Sequence, residues 1–228
     1  MKFDAIIIGF GKAGKTLAGF LAKKGEKVAL IERSEKMYGG TCINIGCIPT
    51  KTLVHSAHLA RRDVSWKEKQ EYFRAAMEQK DAVVSFLREK NYEKLADDPN
   101  VTIFLGVGSF AGKNAVEVRG KDLAVTLEAP KIFINTGSET VIPDLPGVTG
   151  NPRVFTSTTL LDLKELRSVS LSSAEATLGS NSLQCLPLLV RRSRCSKKGP
   201  KYCRAKTGIL PQPCRAFWKR KACSLRRM

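Results

Sequence analysis

Histidine is scarce in this sequence, and metal-type cysteine spacing is missing. The 228 residues include two histidines, His55 and His58, and none of the seven cysteines forms a Cys-x-x-Cys pair, so a zinc module has no ligand set and no metal site is expected. Long hydrophobic runs are missing too. The opening stretch Ala5–Ile8, with acidic Asp4 before it, is too short for a signal-peptide core or a membrane span, which leads to a cytoplasmic reading with no membrane partner. Acidic residues nearly vanish after Leu166. From Arg167 onward there are fifteen Lys/Arg and one acid, Glu175, whereas residues 1–166 carry 24 basic and 20 acidic residues. The formal charge of +18 therefore belongs to the tail and gives the front part no reason to bind nucleic acid. Cysteines divide the same way, with Cys42 and Cys47 in the front part and five in the tail. In a reducing compartment a close cysteine pair is more often catalytic than structural.

What is present begins with an apolar, β-branched run at residues 3–8, the pattern of a buried parallel strand. It leads into Gly9-Phe10-Gly11-Lys12-Ala13-Gly14 and a helical pattern with Leu17, Phe20 and Leu21 on one face. A second strand, Val28–Ile31, follows and ends in Glu32. In this strand–turn–helix–strand context each glycine has a task. Gly9 permits the tight turn, Gly11 lets a pyrophosphate approach the backbone, and Gly14 lets helix and strand pack closely. The phosphates belong on the helix N-terminus. Glu32 is placed to accept from a ribose diol, and its charge would repel a 2′-phosphate. A bare unit of this kind could hold NAD or FAD, and the bland alternative is a cluster of packing glycines with an exposed Glu.

The stretch Gly39 to Lys51, GGTCINIGCIPTK, places Cys42 and Cys47 with four residues between them, ahead of a helix read as Ile48 to about Arg62. Thiol–disulfide exchange needs an accessible attacking sulfur and a second sulfur near enough to resolve the mixed disulfide. The first turn of a helix favours thiolate over thiol. Gly46 relieves crowding beside Cys47, and Pro49 suits an early helical position. Lys51 follows Cys47 by four residues and shares its helix face, with His55 continuing the row and given no role. The alternative is two small buried residues in a loop.

Trp66 to Leu95 is read as one helix whose apolar residues form a packing stripe. Val101–Leu105, Ala115–Val118 and Leu123–Leu127, separated by glycines, are read as a small antiparallel meander. Lys131–Asn135 returns to a buried-strand pattern and ends at Thr136-Gly137-Ser138. Prolines and glycines from 143 to 152 mark a connection, and residues 154–166 carry a capped short helical run, LLDLKEL.

GGTCINIGCIPTK, together with IIGFGKAGKTLA, MYGG and KIFINTG, closely resembles the FAD-dependent pyridine nucleotide-disulfide oxidoreductases, and most of all their bacterial branch associated with reactive-chlorine resistance. The resemblance covers residues 1 to about 166. It implies an α/β fold, an FAD-binding Rossmann-type domain with a parallel sheet and an inserted antiparallel meander. It implies FAD held by Gly9, Gly11, Gly14, Glu32, Gly40, Thr41, Lys51, Thr136 and Gly137. NAD(P)H would be co-substrate, with electrons passing through FAD to a Cys42–Cys47 disulfide and on to a disulfide, metal-ion or oxidant substrate. By the same resemblance Cys42 is the interchange thiol, Cys47 the thiol beside the flavin, and Lys51 a cation that stabilises charge on the reduced ring. Intact members are homodimers whose dimerisation domain supplies a His–Glu acid–base pair.

Residues 1–150 are thus read as the FAD domain and 151–167 as a linker towards an NAD(P)-binding domain. Where another apolar strand and glycine fingerprint should follow, residues 168–228 show no period and one-sided charge. One account is a basic disordered extension that contacts nucleic acid or anionic lipid. The favoured account is a shifted reading frame. Permitted codons for Val169–Gly179, read one base out of register, give Leu-Ala-Ile-Ile-Gly-Gly-Gly-Tyr-Ile-Gly, a strand running into the missing fingerprint. Deleting one C from a Leu-Pro junction CTG CCG gives Leu166-Arg167. On this reading the tail was never selected to fold, and the chain is a truncated, inactive fragment. A third reading is an FAD-binding or redox-sensing fragment without turnover.

Overall fold

The structure, a computed structural model, describes residues 1–61, 63–142 and 148–166, together with the backbone of 169–172 and 192–195. Four parallel strands form its main sheet. They are β1 (Ala5–Ile8), β2 (Val28–Glu32), β3 (Val101–Leu105) and β7 (Lys131–Ile134), in the order β3-β2-β1-β7. Ala5 lies opposite Val28 on one side and Lys131 on the other, and Val28 opposite Val101. A second sheet is antiparallel and consists of β4 (Val107–Gly112), β5 (Ala115–Arg119) and β6 (Ala124–Glu128).

Every residue of β1 and β2 is buried because both faces of the main sheet are covered. Ala5, Ile7, Val28 and Leu30 point into one core, which they share with Ala18, Leu21 and Ala22 of helix α1 (Lys12–Ala22). Their neighbours Ile6, Ile8, Ala29 and Ile31 point into the other, which Val116, Val118 and Leu127 of the antiparallel sheet close. The continuous apolar runs are therefore two alternating faces, each with its own partner.

Two short helical segments lead to the long helix. Thr41–Asn44 is α2, Cys47–Leu59 is α3 and Trp66–Ala96 is α4. α4 starts with a capping box in which the Ser65 hydroxyl accepts from the Glu68 N–H and the Glu68 carboxylate accepts from the Ser65 N–H. Phe73, Ala76 and Met77 of α4 pack on Leu53 and Ala57 of α3, and Leu161, Leu163 and Leu166 complete that cluster.

Three expectations change in detail. The first strand of the antiparallel meander is Val107–Gly112, not Val101–Leu105. Val101–Leu105 instead extends the parallel sheet, since its pairing with β2 buries Val101 and Phe104 on a sheet whose two faces are already covered. The run LLDLKEL makes only a single 3-10 turn, Thr159–Asp162. Leu161, Leu163 and Leu166 are drawn onto the α3–α4 cluster, and Lys80, buried in α4, donates to the Leu161 carbonyl at 2.8 Å. In the tail, Val169–Ser172 (β8) and Arg192–Cys195 (β9) pair in parallel where irregular chain was expected. The remainder of the predicted tail, and the Pro143–Gly147 connection, lie outside the described residues.

Candidate functional site

The glycine turn closes at the carboxyl ends of β1, β2 and β7. Gly9 has φ +108°, and a Cβ there would stand 2.2 Å from the Asn135 carbonyl oxygen, so any other residue fails on both conformation and space. Asn135 follows β7, and its side-chain amide donates to the Gly9 carbonyl at 3.0 Å. The same amide nitrogen lies 2.6 Å from where a Gly14 Cβ would be. Helix α1 then starts at Gly11 with no side-chain cap and no acidic residue in its first turn. Its first N–H groups and positive dipole end therefore lack the carboxylate or hydroxyl that satisfies α4.

Glu32 is buried at the end of β2, and its two oxygens accept from the backbone N–H groups of Phe10 (2.9 Å) and Ser34 (3.2 Å). Each carboxylate oxygen keeps a further acceptor position. This joins the acidic residue to the turn 22 residues before it.

The cysteine segment is docked on that turn. Gly40, with φ +77°, approaches so closely that a Cβ on it would stand 2.6 Å from the Gly11 Cα. Thr41 and Cys42 begin α2, and Cys47 is the first residue of α3 after Gly46. A Cβ on Gly46 would meet the Thr41 carbonyl oxygen at 2.9 Å and lie 3.6 Å from the Cys42 Cα, so this glycine sets how near the two cysteine backbones come. Both cysteines are free, Cys42 half-buried and Cys47 exposed, and hydrogen bonding with Cys47 is the largest influence on the Cys42 thiol. That bond, then burial, then the charge on Cys47 push the Cys42 thiol up from its ordinary value, while Lys12 pulls it down. The sulfur of Cys47 beside it is thus the main reason that Cys42 holds its proton to higher pH than an isolated thiol. Lys15, half-buried and hydrogen-bonded to Asn91, is lowered by burial first, then by Lys12 and Lys94, and Cys42 opposes this.

Of the residues singled out from sequence, Gly9, Gly11, Gly14, Glu32, Gly40, Thr41, Cys42 and Cys47 come together at this end of the sheet. Thr136 and Gly137, φ +75°, follow Asn135 and are exposed, and among the described residues, its chain neighbours aside, none has an atom within 4 Å of a Cβ placed on Gly137. Lys51 is exposed one turn along α3 from Cys47. The unpredicted members are Asn135, Asn44, Arg88 and Lys12. Asn135 ends the KIFIN strand and Asn44 lies inside GGTCINIGC, so both were within readable motifs, whereas Arg88 has no local signal. Among the described residues no group of three metal-ligating side chains assembles, and no helix is long and apolar enough to cross a membrane.

Comparison with known proteins agrees with this arrangement. The profile of the family described as pyridine nucleotide-disulphide oxidoreductase matches residues 3–178, and the chain belongs to that family. A protein of Escherichia coli strain K12 described as a probable pyridine nucleotide-disulfide oxidoreductase, RclA, is 52% identical over 165 residues, which is 72% of this chain and 35% of the relative. A mercuric reductase of Lysinibacillus sphaericus is 35% identical over 173 residues, 72% of this chain and 30% of the relative. Among solved structures, the Cu(II) complex of the HOCl-induced flavoprotein disulfide reductase RclA from Escherichia coli matches with a TM-score of 0.78 and 44% identity, over 86% of this chain and 42% of that one. The chain thus spans about a third of the length of the curated relatives it matches.

Proposed function

We propose that this chain is the FAD-binding and redox-dithiol part of a pyridine nucleotide-disulfide oxidoreductase. The observation that carries the reading is the seating of Gly40 on Gly11, which puts the Cys42–Cys47 segment directly on a dinucleotide turn. The residues present fit FAD. The uncapped first turn of α1 suits a pyrophosphate, Gly9, Gly11 and Gly14 leave the backbone bare, and Glu32 retains acceptor positions for a ribose diol. Gly40, Thr41, Lys51, Thr136 and Gly137 would complete the binding surface. When bound, FAD supplies a two-electron carrier between NAD(P)H and the cysteine pair.

The dithiol can then do its own chemistry. Cys42, as thiolate, attacks a disulfide substrate, forming one S–S bond as the substrate's own breaks and the first thiol leaves. Cys47 attacks the Cys42 sulfur, releasing the second thiol and closing the Cys42–Cys47 disulfide, so the pair is oxidised by the two electrons the substrate gains. Gly46 holds the two backbones at the approach this second step requires. Substrates proposed for the whole enzyme are disulfides, thiophilic metal ions or oxidants, in line with the mercuric reductase and the Cu(II) complex among its relatives. Cytoplasmic location and homodimerisation of the intact enzyme belong to the same proposal.

The alignment with the E. coli relative spans 165 residues, 72% of this chain, and permitted codons read one base out of register can give a strand and glycine fingerprint beyond Leu166. We read the tail as out of frame, with 1–150 as the FAD unit, 151–167 leading towards a nicotinamide domain, and the chain inactive alone. Equilibrium binding of FAD to the full chain, followed by NAD(P)H oxidation, tests this. Saturable one-to-one binding without turnover supports it, and absence of binding overturns the FAD assignment. Sequencing the coding nucleic acid across Leu166-Arg167 tests the frame separately.

A further inference from the structure

Helix α4 carries a row of polar and aromatic contacts to the cysteine segment that its apolar stripe does not require. Asn44 lies between the two cysteines, at the end of α2, and is buried. Its amide nitrogen donates to the carbonyls of Tyr38 (3.0 Å) and Gly40 (2.9 Å), and its own backbone N–H donates to Gly40 at 3.2 Å. The loop that delivers Cys42 is thus tied back on itself. The amide oxygen of Asn44 accepts from Arg88 Nε of α4 at 2.8 Å. One turn further along α4, the Tyr92 ring stacks on Tyr38 with centroids 4.8 Å apart, and Asn91 packs beside Gly39 while accepting from Lys15. All three side chains converge on residues 38–44.

We propose that Arg88, acting through Asn44, is a positioning residue for the Cys42–Cys47 pair. An amide side chain can flip, and only one orientation offers its NH2 group to two carbonyls. The guanidinium, a donor with no acceptor capacity, selects that orientation by requiring the oxygen. With Asn44 fixed, the carbonyls before and within the Gly40 turn are fixed, and Cys42 is held against the start of α3. Release of Asn44 lets α2 drift from Gly46, so the effective concentration of one sulfur at the other falls. The dithiol–disulfide equilibrium then shifts towards the dithiol, and Cys42, with its hydrogen bond to Cys47 loosened, moves back towards an ordinary thiol.

The inference rests on the Cys42–Cys47 redox reading and is tested on the full chain. Wild type, Arg88→Met, Arg88→Lys and Asn44→Asp are equilibrated in glutathione redox buffers. Differential alkylation and peptide mass spectrometry then read Cys42 and Cys47 apart from the five tail cysteines. Arg88→Met and Asn44→Asp are expected to lower the equilibrium constant for disulfide formation about tenfold, the scale of one charged hydrogen bond. Arg88→Lys, which keeps the charge but can reach the amide oxygen only as a flexible point donor, is expected between them and wild type. The midpoint of the Cys42 alkylation-rate profile should fall in the same order. Thermal melts identify unfolding, and if Arg88→Met does not fold, Arg88→Lys and Asn44→Asp decide the matter. Variants that fold and titrate like wild type overturn the positioning role. A wild-type chain that forms no Cys42–Cys47 disulfide in any buffer overturns the redox reading instead, and the inference with it.

Discussion

A Cβ added to Gly40 would stand 2.6 Å from the Cα of Gly11, so the cysteine segment and the glycine turn touch backbone to backbone. No side chain separates the two motifs. The contact explains why Gly40 needs both its positive φ and its missing Cβ, and under the proposed function it would join thiol chemistry and dinucleotide binding in one site.

Gly40→Ala is therefore expected to destabilise the fold by about 3 kcal/mol, combining a glycine-only conformation with a backbone clash. Gly25→Ala is the control, because Gly25 has φ +83° but nothing within 4 Å of an added Cβ. Its cost should be about 1 kcal/mol. Urea unfolding of both variants measures the difference, and equal losses would count against the close contact.

The raised Cys42 thiol sets a pH prediction. Below its elevated range Cys42 is protonated and alkylates slowly, and the rate rises only as pH passes above an ordinary cysteine value. The largest cause is the hydrogen bond to Cys47, so Cys47→Ala should move the midpoint down. Iodoacetamide rates at Cys42 across pH check this, and an unchanged midpoint would assign the shift to burial instead.

Glu32→Gln replaces an acceptor oxygen with an NH2 group opposite a backbone N–H, either of Phe10 or of Ser34. A loss of about 1–3 kcal/mol in stability is expected for that unpaired donor. FAD affinity should fall as well, because the acceptor for a ribose diol is halved. Calorimetric unfolding and FAD titration of the same preparation separate the two effects.

Lys80→Met should loosen a single region. Lys80 is 4% exposed and holds the Leu161 carbonyl at 2.8 Å, tying the segment after Thr156 to the helix that packs on α3. Its loss leaves that carbonyl without the lysine, a change of about 1–3 kcal/mol confined to the local contact. Hydrogen exchange should quicken across 159–166 while β1 and β2 stay protected.

The sequence made the βαβ unit and the cysteine pair legible because their signals are local. Apolar runs, glycines at fixed offsets and a terminal Glu32 all fall within 32 residues. Pairing between distant segments was not legible. Val101–Leu105 reads as part of a meander until β2 is seen beside it. Asn135 meets Gly9 across 126 residues and Arg88 meets Asn44 across 44, and no periodicity records either meeting. The thiol's behaviour was also out of reach. Helix-start reasoning considers one sulfur at a time, whereas Cys42 answers to Cys47.

The central claim is that Cys42 and Cys47 exchange electrons with a flavin held on the glycine turn. Its most direct test is photoreduction, with EDTA as donor, of the FAD-loaded full chain prepared with the Cys42–Cys47 disulfide formed, so that electrons enter through the flavin. Alkylation of both cysteines, rising as the flavin bleaches, is the predicted result. A flavin that bleaches while the disulfide persists, or a chain that retains no flavin, would contradict the account.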